Sequence, residues 1–215
     1  MFPTVLKMIL KNIFGRKWSN TIKLKSINLL LAIYNMIKNK GTGAGGSNTN
    51  KNGLSYEDIT EIKENNRYKV NNTFVIKRRA LIKVTIDNQE LIKVKKAELR
   101  IYMEEKNEYN KKEKSLQPDE CYINEVTKTI NIIEKKFQNK AGSVDEKIQT
   151  GPFKKEFYEI QYPNYTIKYC YCLSDWFKSD KYLPEMRFLK KYEVGVFWGS
   201  DVDYVDNILN WIISN

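Results

Sequence analysis

The chain has 215 residues, 41% hydrophobic and 13% aromatic, which is enough apolar material for a folded domain with a real core. Its 37 Lys and Arg against 26 Asp and Glu give a formal net charge of +11, pointing to an anionic partner: nucleic acid first, an acidic membrane surface second. Histidine is absent, so Ser-His-Asp hydrolysis, the histidine-dependent nucleases and the usual zinc hydrolases are excluded.

Residues 1–40 read as a basic helical arm. Leu6, Ile9, Leu10 and Ile13 recur at helical spacing, as do Ile27, Leu30, Leu31 and Tyr34. Seven Lys and one Arg with no acid give this segment +8 of the total charge. Its apolar run "INLLLAIY" is far short of the roughly 20 residues of a membrane span. The stretch Gly41–Gly53 then holds five of the ten glycines and reads as a flexible linker; it lacks the Lys-Ser/Thr ending of a phosphate-binding loop. A domain over 41–215 is expected to follow the arm. In "LSYEDITEI", Ser55 and Asp58 resemble a capping pair at a helix start.

Residues 68–104 alternate in "TFVIKRRALIKVTI" and "ELIKVKKAELRIYM", predicting antiparallel strands. After the polar gap Glu105–Lys114, "PDECYINEVTKTINIIEKKFQ" predicts a hairpin. "GSVDEKIQTGPFKKEFYEI" predicts helix, with Ser143 and Glu146 at capping-box spacing and a break at Gly151-Pro152. Strand patterns at "YTIKYCYCLSDWF" and "YEVGVFWG" and a closing helix at "VDNILNWII" complete an α/β (α+β) chain. Cys121, Cys170 and Cys172 are too few for a disulfide framework and read as small core residues of a protein in a reducing cytoplasm. Trp176, Phe177, Tyr182, Phe197 and Trp198 read as core rather than base-stacking side chains.

One set of residues carries chemistry. Asp119 follows Pro118, and Glu134-Lys135-Lys136 closes the apolar run "INII". Side chains two apart on a strand share a face, so Glu134 and Lys136 point together while Lys135 points away. A hairpin brings Asp119 alongside. Two carboxylates suit a hard divalent cation, and an ammonium beside them can orient or activate an attacking water. A strand end with solvated charges would look the same. The apolar approach favours a site, because it sets Glu134 at the buried end of a sheet.

These residues resemble the type II restriction endonucleases of the PD-(D/E)xK superfamily. Three segments carry the resemblance: Gly43–Asp58, similar to a Gly/Asn-rich lead into the first core helix; Pro118–Gln138, with Pro118-Asp119 and Glu134-Lys135-Lys136; and Gly142–Ile160, similar to the helix after the motif. The resemblance implies a central mixed sheet flanked by helices. It implies that Asp119, Glu134 and the Lys135 carbonyl hold Mg²⁺ (or Mn²⁺), with Lys136 positioning or activating the water. It further implies Glu57 as an additional acid near the metal and Gln138 as a residue orienting water or touching the scissile strand. The reaction would be hydrolysis of double-stranded DNA to 5′-phosphate and 3′-hydroxyl ends, by a homodimer reading a palindrome. Asn48, Asn50, Arg78, Arg79 and the 68–104 strands are candidates for DNA contact, and Ser143 and Lys147 for holding a phosphate. A repair or junction-resolving nuclease on the same core, and a non-catalytic basic DNA-binding protein, are the alternatives.

Overall fold

The alternation that ends in Glu134 lies at the heart of the protein rather than at its margin. In the computed structural model, which describes residues 54–110, 115–139 and 144–214, seven strands form one sheet in sequential order. They are β1 (Tyr68–Ile76), β2 (Arg79–Ile86), β3 (Gln89–Val94), β4 (Glu120–Asn124), β5 (Thr129–Lys136), β6 (Thr166–Leu173) and β7 (Val194–Trp198). Neighbours from β1 to β5 are antiparallel, and β5, β6 and β7 run parallel. The first two hairpins close through Lys77-Arg78 and Asp87-Asn88, all four with positive φ, the left-handed pair that a two-residue hairpin turn requires. The parallel pairs need crossovers. α3 (Val144–Ile148) and α4 (Gly151–Gln161) link β5 to β6, and α5 (Leu183–Lys191) links β6 to β7. A helical stretch, α1 (residues 54–59), precedes the sheet; α2 (Glu98–Glu105) follows β3, and α6 (Tyr204–Ile213) ends the fold.

Strand parity divides the core in two. Ile130 and Ile132 of β5, with Tyr169, Tyr171 and Leu173 of β6, meet α2, α4 and α5 through Leu99, Tyr158 and Leu189. Ile133, Cys170 and Cys172 face the other way and meet α1 and α6 through Tyr56, Ile208 and Leu209. The central strands are buried on both faces, which is why β6 reads as a nearly continuous apolar run. All three cysteines are buried and free, as expected of core residues. Phe177 and Tyr182 are buried, and Trp176, Phe197 and Trp198 pack against the two cores. No helix among the described residues is long and apolar enough to cross a membrane.

The hairpin at β4–β5, the helices broken at Gly151-Pro152, the two later strands and the closing helix match the expectation. Three points differ. Residues 98–105 form α2 rather than a strand, because Leu99, Tyr102 and Met103 are buried at helical i, i+3, i+4 spacing. Helix α5 is absent from the strand-to-strand reading of the sequence. Ser55 lies inside helical residues, one position past Leu54, which is itself helical, so it is not a cap. Residues 1–53 and 140–143 lie outside the described residues, and with them the arm, the glycine-rich linker, Asn48, Asn50 and Ser143.

Candidate active site

The site forms where β4 begins and β5 ends. Glu120 pairs with Ile133 in the ladder, so Asp119, one residue before the strand, arrives beside Glu134. Its Oδ2 accepts the Lys135 backbone N–H at 2.8 Å. Glu134 and Lys136 project together onto the α4 face. Lys136 Nζ lies 2.7 Å from Glu134 Oε1 and 3.6 Å from Asp119 Oδ2, and it donates to the Lys135 carbonyl at 3.1 Å. Three oxygens, one each from Asp119, Glu134 and the Lys135 backbone, therefore converge on one cationic nitrogen.

Glu57 joins from α1. Lys96 Nζ bridges its Oε2 at 3.1 Å and Asp119 Oδ1 at 2.8 Å. Two of these cations were not singled out in the sequence. Lys154 of α4 places its Nζ 2.6 Å from Glu134 Oε1. Its signal was available: Lys154 sits four residues before buried Tyr158, on the inward stripe that Gly151, Tyr158 and Gln161 mark out. Lys96 had no such signal, since the expected strand continued through it.

Electrostatics follow from this crowding. Burial would raise the Asp119 carboxyl, but the Lys136 charge, Lys96 and the Lys135 N–H outweigh it and hold it below the usual carboxylate range. Burial would lower the Lys136 ammonium; Glu134 and Asp119 outweigh it and hold it above its ordinary value. With both carboxylates against it, the Lys136 ammonium is held in its charged form and can donate hydrogen bonds. Burial, then the Glu134 carboxylate, pushes the Tyr158 and Tyr171 hydroxyls up, so both stay neutral beside the site.

Among the described residues no cluster of three or more acidic or cysteine side chains forms a complete metal cage. Mg²⁺ does not need one; one or two carboxylates with water and substrate phosphate suffice. The three hard oxygens already gathered around the Lys136 ammonium are that kind of donor set, so Asp119, Glu134 and the Lys135 carbonyl fit such an ion.

Other expected residues lie elsewhere. β5 ends at Lys136, so strand parity does not reach Gln138; its side-chain amide donates to Asp145 of α3 and its backbone N–H to Ser174 Oγ. Lys147 is exposed on α3. Arg78 and Arg79 are exposed at the tip of the β1–β2 hairpin. The register Ile82↔Lys93, Val94↔Cys121, Glu120↔Ile133 puts that tip at the same end of the sheet as the site. Lys135 turns to the opposite face, where its Nζ lies 2.7 Å from Glu120 Oε2. Compared with known proteins, the chain matches no family model, no curated protein and no solved structure.

Proposed function

We propose that this protein is a Mg²⁺-dependent endonuclease of double-stranded DNA, of the type II restriction class, acting as a homodimer on a core like that of the PD-(D/E)xK enzymes. The observation that carries the reading is the convergence of Asp119 Oδ2, Glu134 Oε1 and the Lys135 carbonyl on Lys136 Nζ. Bound there, Mg²⁺ (or Mn²⁺) would neutralise phosphate charge and lower the pKa of a coordinated water. The chain's own groups do the rest. Lys136 orients the attacking water through an N–H bond. Lys154 and Lys96, freed from the carboxylates, are placed to donate to the non-bridging oxygens of the scissile phosphate, whose charge grows in the transition state. The water oxygen forms the new bond to phosphorus as its proton passes to bulk solvent, the bond to the 3′-oxygen breaks and that oxygen takes a proton from a solvent water, and a 5′-phosphate and a 3′-hydroxyl result. Arg78, Arg79 and Lys147 are candidates for backbone or base contact along the same end of the sheet, and the net charge of +11 supports an electrostatic footprint on DNA.

Plasmid DNA incubated with the purified protein and Mg²⁺ tests this. Discrete fragments with ligatable 5′-phosphate ends, abolished by a chelator, are expected. An uncut plasmid that is nevertheless bound would favour the non-catalytic DNA-binding reading. Cutting only of branched or mismatched duplexes would favour the repair or junction-resolving one.

A further inference from the structure

Within the motif Glu134-Lys135-Lys136, the middle side chain contacts neither the carboxylates nor the ammonium groups of the site. We infer that Lys135 is a positioning residue, whose buried ammonium on the reverse face of the sheet holds Glu57 where it meets Asp119 through Lys96. The inference rests on the nuclease reading above. Two contacts of the Lys135 backbone and two of its side chain bear on it, and the side-chain pair carries the inference. The Lys135 N–H donates to Asp119 Oδ2 at 2.8 Å, and its carbonyl accepts Lys136 Nζ at 3.1 Å. Its Nζ donates to the Glu57 carbonyl at 3.1 Å and forms the 2.7 Å ion pair with Glu120. The backbone of Lys135 thereby touches Asp119 and Lys136, while its side chain ties the α1 backbone at Glu57 to Glu120 of the sheet.

The pair is deeply buried, with side chains 3% and 1% exposed. Glu120 is further held by Lys93 at 3.2 Å and by the Tyr122 hydroxyl at 2.6 Å. Neighbouring strand residues face opposite ways, so Asp119 and Glu134 above the sheet stand next in sequence to Glu120 and Lys135 below it. A buried ion pair is by itself weak evidence of a stabilising role, since apolar replacements of such pairs are often neutral or stabilising. A methionine would fill the space of Lys135 but has no donor for the Glu57 carbonyl.

Two variants test this: Lys135→Met, and Lys135→Met/Glu120→Gln, which removes both charges together and leaves no lone ion in the interior. Each is read by its crystal structure, by single-turnover cleavage of supercoiled plasmid with Mg²⁺ per folded molecule, and by plasmid binding with Ca²⁺ replacing Mg²⁺. The expected result is loss of the Lys96 bridge between Glu57 and Asp119, with cleavage slowed about 10- to 100-fold and binding unchanged. A purely structural role would lower the melting temperature and the folded fraction while leaving the rate per folded molecule as it was. A retained bridge, or cleavage within about twofold of wild type, overturns the inference. Should the wild-type protein fail to cut DNA at all, the nuclease reading falls, and the variant structures alone decide the positioning role: a lost bridge supports it, a retained one overturns it.

Discussion

At Lys96 the backbone turns left-handed, with φ of 51°, to close the corner between β3 and α2. Its N–H reaches the Pro118 carbonyl at 2.8 Å, which ties that corner to the start of the motif. A non-glycine residue held in this region carries a conformational cost of about 1–3 kcal/mol, and it stands beside the site. Lys96→Gly separates the backbone from the ammonium. Glycine relieves the strain, so urea denaturation should show stability equal to or above wild type, while Mg²⁺-dependent cleavage falls because the bridge between Glu57 and Asp119 is gone. Unchanged cleavage would remove Lys96 from the site. Asp119, Glu134 and Lys136 could be singled out in the sequence because each stands at the border of an apolar pattern, whereas Glu57 came only from the resemblance. Lys96 was not legible, since nothing local distinguishes a lysine on a turn from one on an exposed strand.

At the scale of elements, α2 shows how tertiary packing decides an ambiguous pattern. "ELRIYMEE" alternates well enough to pass for a strand, yet Leu99, Tyr102 and Met103 can reach one core only as a helix. Leu99 is fully buried in the core shared with β3, β4 and α4. Leu99→Ala should therefore cost about 2–5 kcal/mol by denaturant unfolding; a cost below about 0.5 kcal/mol, as at a surface position, would contradict this packing. The hairpin β4–β5 was legible because its alternation is long and its two arms are separated by a polar turn. Helix α5 was missed because its buried contact rests on Leu189, with Met186 only partly covered. One and a half apolar anchors leave too faint a period against the charged residues around them.

For the molecule as a whole, the charge distribution predicts a marked sensitivity to acid. Burial would raise the Glu61 carboxyl, but hydrogen bonds from Lys95 and Lys93 outweigh it and hold it down at about 2. Burial works the same way at Glu120, against Lys93 and Lys135, and its carboxyl too is held below its usual value. Asp119 completes the set. A carboxyl depressed in the folded state stabilises the fold fully above its unfolded pKa, and that contribution is lost as pH falls through the folded value. The melting temperature should thus be steady from neutral pH to about 5 and fall steeply between about 4 and 2. Glu61→Gln should flatten part of that fall, and a wild-type curve that stays level down to pH 2 would contradict the ion network. The same network joins α1 to β3, β4 and β5 beneath the site. Sequence patterns could not reveal it, because Lys93, Glu120 and Lys135 each look like ordinary surface charges until the sheet buries them.

The most direct measurement is Mg²⁺-dependent plasmid cleavage by wild type, Glu134→Ala and Lys136→Ala, compared at equal DNA occupancy. Discrete fragments from the wild type, with both variants binding DNA but cutting at least about 100-fold more slowly, is the predicted result. Cleavage by Lys136→Ala at the wild-type rate would contradict the role assigned to the ammonium on which Asp119, Glu134 and the Lys135 carbonyl converge.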